Sequence, residues 1–364
     1  MKILFVVEHF YPYVGGAEEL FLNLAVSLAA AGHEVEVVTT LYDHSLPKYE
    51  EFRGIKISRV RCYNRFLFTV MSLPAVIRKA RKADLIHTTS YNSAIPAFIA
   101  GKMLGKKVVI TFHEVWEKLW FRLPFTSKLK LAIFYFYEWF ILKLPFQKYI
   151  AVSEFTRDSL IAHGIPKEKV VQIYNGMDYD SLAAFRHRPP EKFTFCFFGR
   201  LGISKGIDLL LDATRIFVSR HPDTTLKLII PTYPESLFAK VMNSIHQHRL
   251  GNNIELMHNL SRQNLLNEVA TSSCVVIPSQ SEGFCFVAVE SVALDVPVIS
   301  SGKGSLPEVV SGRYLVLPEL TAAAIVDALE KAKRNEWKKK ERRTFPLQQS
   351  VHAYLNLYES LRKK

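Results

Sequence analysis

The strongest constraint on the fold is a repeated alternation of short apolar runs with longer stretches of helical periodicity. In the first half of the chain, the apolar runs have the length and residue types of buried strands. They lie at 3–7, 34–39, 84–88, 107–111, 149–152 and 170–174, and a helical stretch at 17–31 follows the first of them. Such alternation is typical of βα units built around a parallel sheet.

The periodicity stops in a charged, proline-containing segment at 186–192 and then begins again. The second half predicts strands at 193–198, 225–230, 274–277 and 297–300, with helices at 206–220 and 235–250. At 364 residues the chain exceeds what one hydrophobic core usually supports. We therefore predict an α/β protein with two Rossmann-like domains, 1–186 and 187–345, and a terminal helix at 346–364 that packs back on the first domain.

Charge and cysteine content limit the class of protein. The net charge of +13 favours a polyanionic partner such as nucleic acid, anionic lipid or a phosphorylated substrate. No helix-turn-helix, zinc or aromatic RNA-binding motif accompanies this charge, so we expect no nucleic-acid partner. Cys62, Cys196, Cys274 and Cys285 are scattered, which favours reduced thiols over disulfides. Because no apolar stretch has the ~20 residues of a membrane span, we expect a cytoplasmic protein.

The most informative segment contains two glutamates, Glu282 and Glu290. A predicted strand ends at Ile277, a polar loop follows, and an apolar helix begins near Phe284, which places a helix N-terminus and its anion preference at a sheet edge. Glu282 then lies in the loop. Glu290 lies two turns into the helix among apolar neighbours, which predicts a buried carboxylate that ribose hydroxyls would satisfy. Alternatively, Glu282 caps the helix and Glu290 faces solvent.

Two cations, Arg200 and Lys205, follow the predicted strand at 193–198 and precede a helix. In such a loop they can neutralise a diphosphate, although a solvated surface pair is the usual fate of these residue types.

The first domain has two further candidate positions. Gly15 and Gly16 follow the first strand and would let the backbone approach a ligand at a helix start, unless they form only a tight turn. His113 ends the strand at 107–111, at the sheet edge where α/β proteins bind ligands, although a lone histidine is more often structural.

The run from Glu282 to Val310 closely resembles family 4 of the glycosyltransferases, whose hallmark is Glu-x7-Glu. The Gly-Arg-Leu segment at 199–201 with Lys-Gly at 205–206, the Gly-Gly-x-Glu loop at 15–18 and the strand-end His113 are also similar to the family. The family has the GT-B fold, two Rossmann-like domains that face each other across a cleft. The resemblance covers most of the chain and weakens after Val310.

The resemblance implies a role for each candidate residue. Arg200 and Lys205 would hold the donor diphosphate in place of a metal, and Glu290 would bind the nucleotide ribose. Glu282 would lie near the donor sugar, His113 would contact the transferred sugar, and the Gly15–Gly16 loop would line the cleft. The implied reaction retains the anomeric configuration and needs no cofactor beyond a nucleoside-diphosphate sugar as co-substrate.

The sequence departs from the family pattern at several glycines. Cys285 stands where glycine is usual and would narrow the donor pocket. Asp295 and Ser305 replace two further glycines, and none of these changes removes a carboxylate.

A basic aromatic stretch lies between Trp116 and Lys148. Aromatic residues interleaved with lysines suit the interface of a bilayer, which would place the protein at the inner face of the membrane. Alternatively, the stretch is a packed helix with a solvated basic rim, since its apolar run is short and contains Glu138.

These features together predict a retaining glycosyltransferase that moves a sugar from a nucleoside-diphosphate sugar to a glycan or lipid-linked acceptor. One alternative is a sugar-nucleotide epimerase of the same fold, which would act without an acceptor. Another is a non-catalytic, membrane-surface subunit, but such a protein would be expected to have lost the charged site residues.

Overall fold

The structure is a computed structural model that describes residues 1–13, 15–122 and 127–362. Two parts of the predictions lie outside the described residues: Phe125 of the basic aromatic stretch and positions 363–364 of the predicted terminal helix.

The chain divides into two compact units. The first unit comprises Met1–Arg122, the segment that ends at Met177, and the C-terminal segment that begins at Phe345. The second unit is Asp178–Thr344, so the division falls between Met177 and Asp178 where the sequence predicted 186/187. The beginning of the predicted linker packs within the second unit, because the His187 ring contacts the Ser272 carbonyl oxygen at 2.9 Å.

The strands of the described residues form one sheet in each unit. Those of the first unit are β1 Lys2–Val6, β2 Glu34–Thr40, β3 Tyr49–Phe52, β4 Ile55–Val60, β5 Leu85–Thr89, β6 Lys107–Phe112, β7 Lys148–Ala151 and β8 Val170–Gln172. Those of the second unit are β9 Thr194–Phe198, β10 Thr225–Ile229, β11 Ile254–Met257, β12 Cys274–Ile277, β13 Val298–Ser300, β14 Gly312–Val316 and β15 Lys338–Lys340.

Both sheets are parallel except at one edge. The strand order is β3-β4-β2-β1-β5-β6-β7-β8 in the first unit and β11-β10-β9-β12-β13-β14-β15 in the second. Only the edge pairs β3–β4 and β14–β15 of the described residues are antiparallel. Among the parallel strands of each sheet the chain order reverses once, between β1 and β5 and between β9 and β12. These reversals confirm two Rossmann-like units.

Helices connect the strands and cover the sheets. The first unit has six α-helices that precede the second unit in the described chain: α1 Gly16–Ala30, α2 Phe68–Met71, α3 Leu73–Ala80, α4 Ala94–Leu104, α5 Lys128–Lys143 and α6 Glu154–Ala162. The second unit has α7 Ile207–Arg220, α8 Glu235–Gln247, α9 Arg262–Ala270, α10 Phe286–Ala293, α11 Leu306–Val309 and α12 Ala322–Lys333. The last helix, α13 Leu347–Arg362, belongs to the first unit.

Each unit has its own apolar core between sheet and helices. Leu4, Ile86 and Ile110 of the first sheet are buried with helical residues such as Ala97 and Leu160. In the second unit, sheet residues Phe195, Leu228 and Val276 pack with Leu211 and Leu329 of the helices. Fully burying one such Leu, Ile or Phe side chain stabilises a fold by about 1.5–3 kcal/mol, so these contacts fix the sheet edges from which the site loops extend.

The terminal helix is attached to the first sheet through a buried histidine. His87 of β5 is fully buried, with Nδ1 2.6 Å from the Tyr358 hydroxyl of α13 and Nε2 2.8 Å from Thr111 Oγ1. Burial, with the nearby His113 charge, lowers the pKa of His87 to about 3. The imidazole is therefore neutral at neutral pH.

Candidate active site

The reversal of strand order in the second sheet brings two loops to one edge. β9 pairs with β12, so the loop after Phe198 and the loop after Ile277 both leave the carboxyl end of the sheet at its switch point. In open α/β sheets this is the position at which ligands bind. The first loop contains Arg200 and Lys205, and the second contains Glu282.

A glycine lets these two loops touch. Gly206 has φ +68°, and a Cβ added there would lie 2.1 Å from the Pro278 carbonyl oxygen. Only glycine takes this left-handed conformation without steric cost and leaves room for the facing backbone. The contact is closed by a hydrogen bond in which Gln280 N–H donates to the Ser204 carbonyl oxygen at 2.7 Å.

A second glycine brings a third loop, the one after β13, against Glu282. Gly304 has φ +63°, and a Cβ there would lie 2.3 Å from the Glu282 carbonyl oxygen. Ser305 N–H donates to that oxygen at 2.8 Å, and Ser301 Oγ donates to the Ser279 carbonyl at 2.6 Å. Three loops thus hold the backbone of Glu282 in one position.

The side chain of Glu282 pairs with Lys205. Lys205 Nζ donates to Glu282 Oε1 at 2.7 Å, and Ser279 Oγ donates to the same oxygen at 2.6 Å. Glu282 is buried, while the Lys205 side chain keeps a quarter of its surface exposed. Burial favours the neutral amine, but the Glu282 carboxylate outweighs it and raises the pKa of Lys205. Lys205 is therefore a cation that an anion can reach.

Arg200 adds a second positive charge beside this pair. Its side chain is exposed, and its charge acts to lower the pKa of Lys205, against the effect of Glu282. Two adjacent cations at the mouth of a loop repel each other unless an anion lies between them. The arrangement favours a bound phosphate group.

Glu290 lies in the second turn of α10 and is buried, as its apolar sequence neighbours predicted. The sequence did not predict its partner, which is Arg262, the first residue of α9, with Nη2 2.5 Å from Glu290 Oε1. Arg262 follows the end of β11 and the cap residue Ser261, so the available signal was a cation in a strand-end loop. Arg200 has the same signal.

The charges of three site residues act on Cys285, which precedes the first residue of α10. Burial, reinforced by the Glu282 carboxylate, raises the pKa of its thiol well above the ordinary value. Lys205 acts on the same thiol in the opposite sense and Glu290 in the same sense as Glu282. The structure therefore brings Lys205, Glu282 and Glu290 together around the N-terminus of α10.

Two of the three departures from the family glycines lie where the backbone favours glycine. Cys285 has φ +70° and Asp295 has φ +62°, both in the left-handed region. Ser305 has φ −79°, which any residue adopts. The Asp295 side chain forms ion pairs with Arg342 and Arg313. Aspartate tolerates this region better than most residues, and cysteine does not.

The predicted residues of the first unit lie at the carboxyl edge of its sheet. Gly16 is the first residue of α1, and the Gly15 carbonyl accepts a hydrogen bond from Glu19 N–H at 2.8 Å. His113 directly follows β6, its carbonyl accepts from Thr156 Oγ1 at 3.4 Å, and its ring packs edge-on against Phe21.

The first unit also has a buried carboxylate that the sequence did not predict. Glu8 follows β1 and is bound by both ends of the Arg65 guanidinium, at 2.8 and 3.3 Å, and by the Asn92 amide at 2.8 Å. Burial acts to raise the pKa of Glu8, but His9 and Arg65 outweigh it, so the pKa is lowered. A single Glu after an apolar run carries no sequence signal for such a network.

Of the basic aromatic stretch, the described residues include a 3-10 helix at Glu117–Arg122 and the helix α5. Glu138 is buried and accepts hydrogen bonds from the Tyr91 hydroxyl at 3.0 Å, the Trp120 indole at 3.1 Å and the backbone N–H groups of Trp116 and Glu117. Burial raises the pKa of Glu138, and these hydrogen bonds act against the rise. Residues of the first unit therefore bind the Glu138 carboxylate on this side of α5.

The opposite side of α5 is apolar and exposed. Leu129, Ile133, Phe136 and Phe140 follow one another at helical spacing and are each 46–73% exposed. We call these four residues the α5 outer face. No helix in the described part of the chain is long and apolar enough to cross a membrane.

Within residues 1–13, 15–122 and 127–362, no group of three or more His, Cys, Asp or Glu side chains is placed to hold a metal ion. The four cysteines are free thiols.

Two Rossmann-like units, the second with cations and buried carboxylates at its switch point, define a GT-B glycosyltransferase. Sequence models of two families match consecutive parts of the chain. The Glycosyltransferase Family 4 model matches residues 14–181, and the Glycosyl transferases group 1 model matches residues 180–345. The two matches follow each other over residues 14–345 and show a glycosyltransferase of the family 4 type.

Curated relatives extend over most of the chain. It is 27% identical to the GDP-mannose:cellobiosyl-diphosphopolyprenol alpha-mannosyltransferase of Xanthomonas campestris, over 82% of this chain and 78% of the relative. It is 22% identical to the phosphatidylinositol N-acetylglucosaminyltransferase GPI3 subunit of Saccharomyces cerevisiae, over 91% of this chain and 75% of the relative.

Solved structures share the fold. Sucrose-phosphate synthase from Thermosynechococcus elongatus has a TM-score of 0.83 at 19% identity and covers 99% of this chain and 98% of its own. Anabaena HepE in complex with UDP-glucose has a TM-score of 0.72 at 19% identity, with both chains covered completely. The protein is thus a glycosyltransferase that uses a nucleotide sugar, and neither the epimerase nor the non-catalytic subunit is favoured.

Proposed function

We propose that the second unit binds a nucleoside-diphosphate sugar and that the enzyme transfers the sugar, with retention of configuration, to a glycan or lipid-linked acceptor. Arg200 and Lys205 bind the diphosphate, Glu290 binds the ribose and Glu282 lies near the donor sugar. His113 of the first unit contacts the transferred sugar, and the Gly15–Gly16 loop belongs to the acceptor side. The observation that carries the proposal is the Lys205–Glu282 pair at the switch point, with Glu290 buried on α10, the helix that follows Glu282.

The charges of this site match the reaction. Departure of the nucleoside diphosphate leaves an oxocarbenium-like sugar and places negative charge on the leaving phosphate. Arg200, Lys205 and the N-terminus of α10 are positive where that charge develops, and fixed charges in a partly buried site need no reorganisation during the reaction. Because Lys205 is partly exposed, a phosphate oxygen can reach it and share it with Glu282.

The same cations support transfer without a bound metal. Arginine and lysine neutralise a diphosphate through charge-assisted hydrogen bonds, which is the task that a divalent cation performs in other enzymes. We expect turnover to persist in excess EDTA. A complete loss of turnover in EDTA that added Mg²⁺ or Mn²⁺ restores would contradict this part of the proposal.

The experiment that tests the donor site is a panel of UDP-, GDP- and ADP-sugars screened by thermal unfolding. A ligand that binds only the folded protein raises the melting temperature by an amount set by its concentration and affinity. One member of the panel should stabilise the wild type, and Glu290→Ala should reduce that shift. Release of nucleoside diphosphate and the first-formed anomer of the freed sugar, measured by NMR, then test transfer and retention. No stabilisation by any member would overturn the proposal.

A lipid-linked acceptor is supported by two observations. The Xanthomonas relative is named for a diphosphopolyprenol-linked acceptor. The α5 outer face is apolar and exposed, and Lys128 and Lys130 at one end of the helix and Lys143 at the other are also exposed. A helix with an apolar face and terminal lysines suits the surface of an anionic bilayer, with the lysines at the headgroups. We therefore propose peripheral association with the inner face of the membrane.

Co-sedimentation with vesicles tests this association. The wild type should bind vesicles of phosphatidylglycerol and phosphatidylcholine, and the Ile133→Asp/Phe136→Asp variant should lose most of this binding. Met103→Asp changes another exposed apolar residue of a first-unit helix and serves as the matched control. If the double variant binds the anionic vesicles as well as the wild type does, the α5 outer face is not the contact.

A further inference from the structure

Glu290 is assigned to ribose binding, but its partner Arg262 has no role in the proposed function. Glu290 is buried, with only 5% of its side chain exposed, whereas Arg262 keeps 44% of its side chain exposed. Burying a carboxylate is costly unless a charge or hydrogen bonds compensate it. The Arg262 guanidinium, 2.5 Å from Oε1, supplies such compensation.

The pair joins two helices that begin at the same edge of the sheet. Arg262 begins α9, where Ser261 Oγ accepts a hydrogen bond from Asn264 N–H at 3.2 Å and fixes the start of the helix. Glu290 lies on α10, whose own start is fixed by the loops around Glu282. Because each partner is attached to a capped or supported helix, the ion pair fixes the direction of the Glu290 carboxylate.

An ion pair of this kind does not prevent ribose from binding. A carboxylate has two oxygens with about four acceptor directions, so a guanidinium contact at one oxygen does not by itself exclude hydroxyl donors. Ribose hydroxyls donate most strongly to a carboxylate that is ionised and correctly turned. The guanidinium favours both conditions, because it is always charged and its planar fork is rigid.

On the basis of the proposed function, we infer that Arg262 is a positioning residue for donor binding, which holds Glu290 ionised and oriented to accept the ribose hydroxyls. Arg262 thereby favours ribonucleotide over deoxyribonucleotide donors. It acts through Glu290 and takes no part in the bond-breaking step.

The test measures the affinity for the nucleoside diphosphate chosen by the donor panel, and for its 2′-deoxy and 3′-deoxy analogues, by calorimetry. Charge-assisted hydrogen bonds of this type correspond to about a ten- to hundredfold change in affinity. Arg262→Gln should therefore weaken the ribonucleotide by about tenfold or more. The loss should be smaller for the 2′-deoxy and 3′-deoxy analogues, because each lacks one of the hydroxyls that Glu290 accepts. The donor KM should rise while kcat stays within about twofold of wild type.

Two further variants separate positioning from a general structural effect. Glu290→Gln alone and the Arg262→Gln/Glu290→Gln double variant should bind the ribonucleotide equally, because Arg262 acts through Glu290. Arg262→Lys keeps the charge without the fork and should recover part of the affinity. Arg220→Gln removes another arginine of the second unit that lies near a glutamate, Glu330, and should change nothing.

Each outcome has a distinct meaning. If Arg262→Gln weakens the ribonucleotide and both deoxy analogues equally, the inference is wrong, because Arg262 then contacts another part of the nucleotide. Unchanged affinity in Arg262→Gln together with a loss in Glu290→Gln would also overturn it, yet leave the donor site intact. If the wild type binds no nucleoside diphosphate, the proposed donor site fails and the inference fails with it. A melting temperature for each variant confirms that a folded protein is compared.

Discussion

Each unit places a buried glutamate in a loop at the switch point of its sheet, after the first strand in one unit and after the fourth in the other, and the two are held in different ways. Glu8 lies beside the switch point of the first sheet. Two nitrogens of the Arg65 guanidinium and the Asn92 amide bind its carboxylate. Glu282 lies beside the switch point of the second sheet, where a lysine and a serine bind one of its oxygens. A guanidinium fork fixes a carboxylate in one geometry, whereas an ammonium is a compact charge that can turn toward another anion. The comparison indicates that the fold supplies the position and the cation decides whether the position is open to a ligand.

Removal of the two cations gives the largest expected difference. Lys205→Ala should lower turnover with the selected donor by about 10²–10³-fold, since loss of one group that stabilises the leaving charge has effects of that size. Arg65→Ala removes the corresponding cation of the first unit and should leave donor affinity within about twofold of wild type. Steady-state kinetics and calorimetry measure both. Equal losses in the two variants would show that the two units do not differ in whether their cation is open to a ligand.

The fold was predictable to the extent that apolar runs are buried. The run at 274–277 is strand β12 with the predicted bounds, and the other predicted strands differ from the observed ones by one or two residues. Strands β3, β4, β11, β14 and β15 were not predicted, and each lies at a sheet edge or next to an edge strand. Strands β3 and β15 also lack apolar runs. The sequence of β15 is Lys338-Lys339-Lys340, and all three residues are exposed. Such an edge strand is defined by hydrogen bonds to its neighbour and leaves no hydrophobic pattern.

The site was predictable only where chemistry and position coincide in one motif. Arg200, Lys205 and Glu282 lie in loops after predicted strands and Glu290 lies on the helix that follows, and the resemblance to family 4 implied that they share one site. The partner of Glu290 was not predictable, because Arg262 is distant in sequence and its exposed guanidinium resembles any surface arginine. Pairings between loops depend on which strands are neighbours, and local sequence does not determine sheet order.

Gly206 holds two of the site loops together, and its substitution should give the second-largest effect. Gly206→Ala would place a Cβ 2.1 Å from a backbone oxygen, and a backbone atom cannot rotate away. Left-handed strain and overpacking together should lower the free energy of unfolding by about 3 kcal/mol. Gly105, in the first unit, has φ +64° and nothing within 4 Å of its added Cβ, so Gly105→Ala isolates the strain of about 1–2 kcal/mol.

Urea unfolding measures both variants, and donor affinity should fall only in Gly206→Ala. Equal destabilisation by the two substitutions would show that the contact with Pro278 contributes nothing.

Acidification should have a smaller effect, a loss of stability that comes from His87 of the first unit. The pKa of His87 is about 3 in the folded protein against 6.5 in the unfolded chain. Below pH 6.5 the unfolded chain binds a proton that the folded protein does not bind, so the free energy of unfolding falls as the pH falls from 6.5 toward 3. The loss from His87 at pH 5 is about 2 kcal/mol. His87→Gln should be less stable at pH 7.5, since its bond to Tyr358 is changed, but less sensitive to pH.

Tryptophan fluorescence follows these transitions, because Trp116, Trp120 and Trp139 lie in the first unit and Trp337 in the second. The same pH dependence in His87→Gln as in the wild type would assign the acid sensitivity to other groups.

The smallest expected effect tests the backbone at the start of α10. Cys285→Gly and Cys285→Ala both remove the thiol, but alanine keeps a Cβ at φ +70°. We expect the glycine variant to be the more stable of the two by about 1 kcal/mol, the reverse of the usual order of these residues in helices. Ser305 has φ −79° and replaces another family glycine, so Ser305→Ala should be more stable than Ser305→Gly. Thermal unfolding of the four variants decides the point. The same order at both positions would show that the left-handed backbone of Cys285 carries no strain, and that this cysteine differs from the family glycine only in the space it fills.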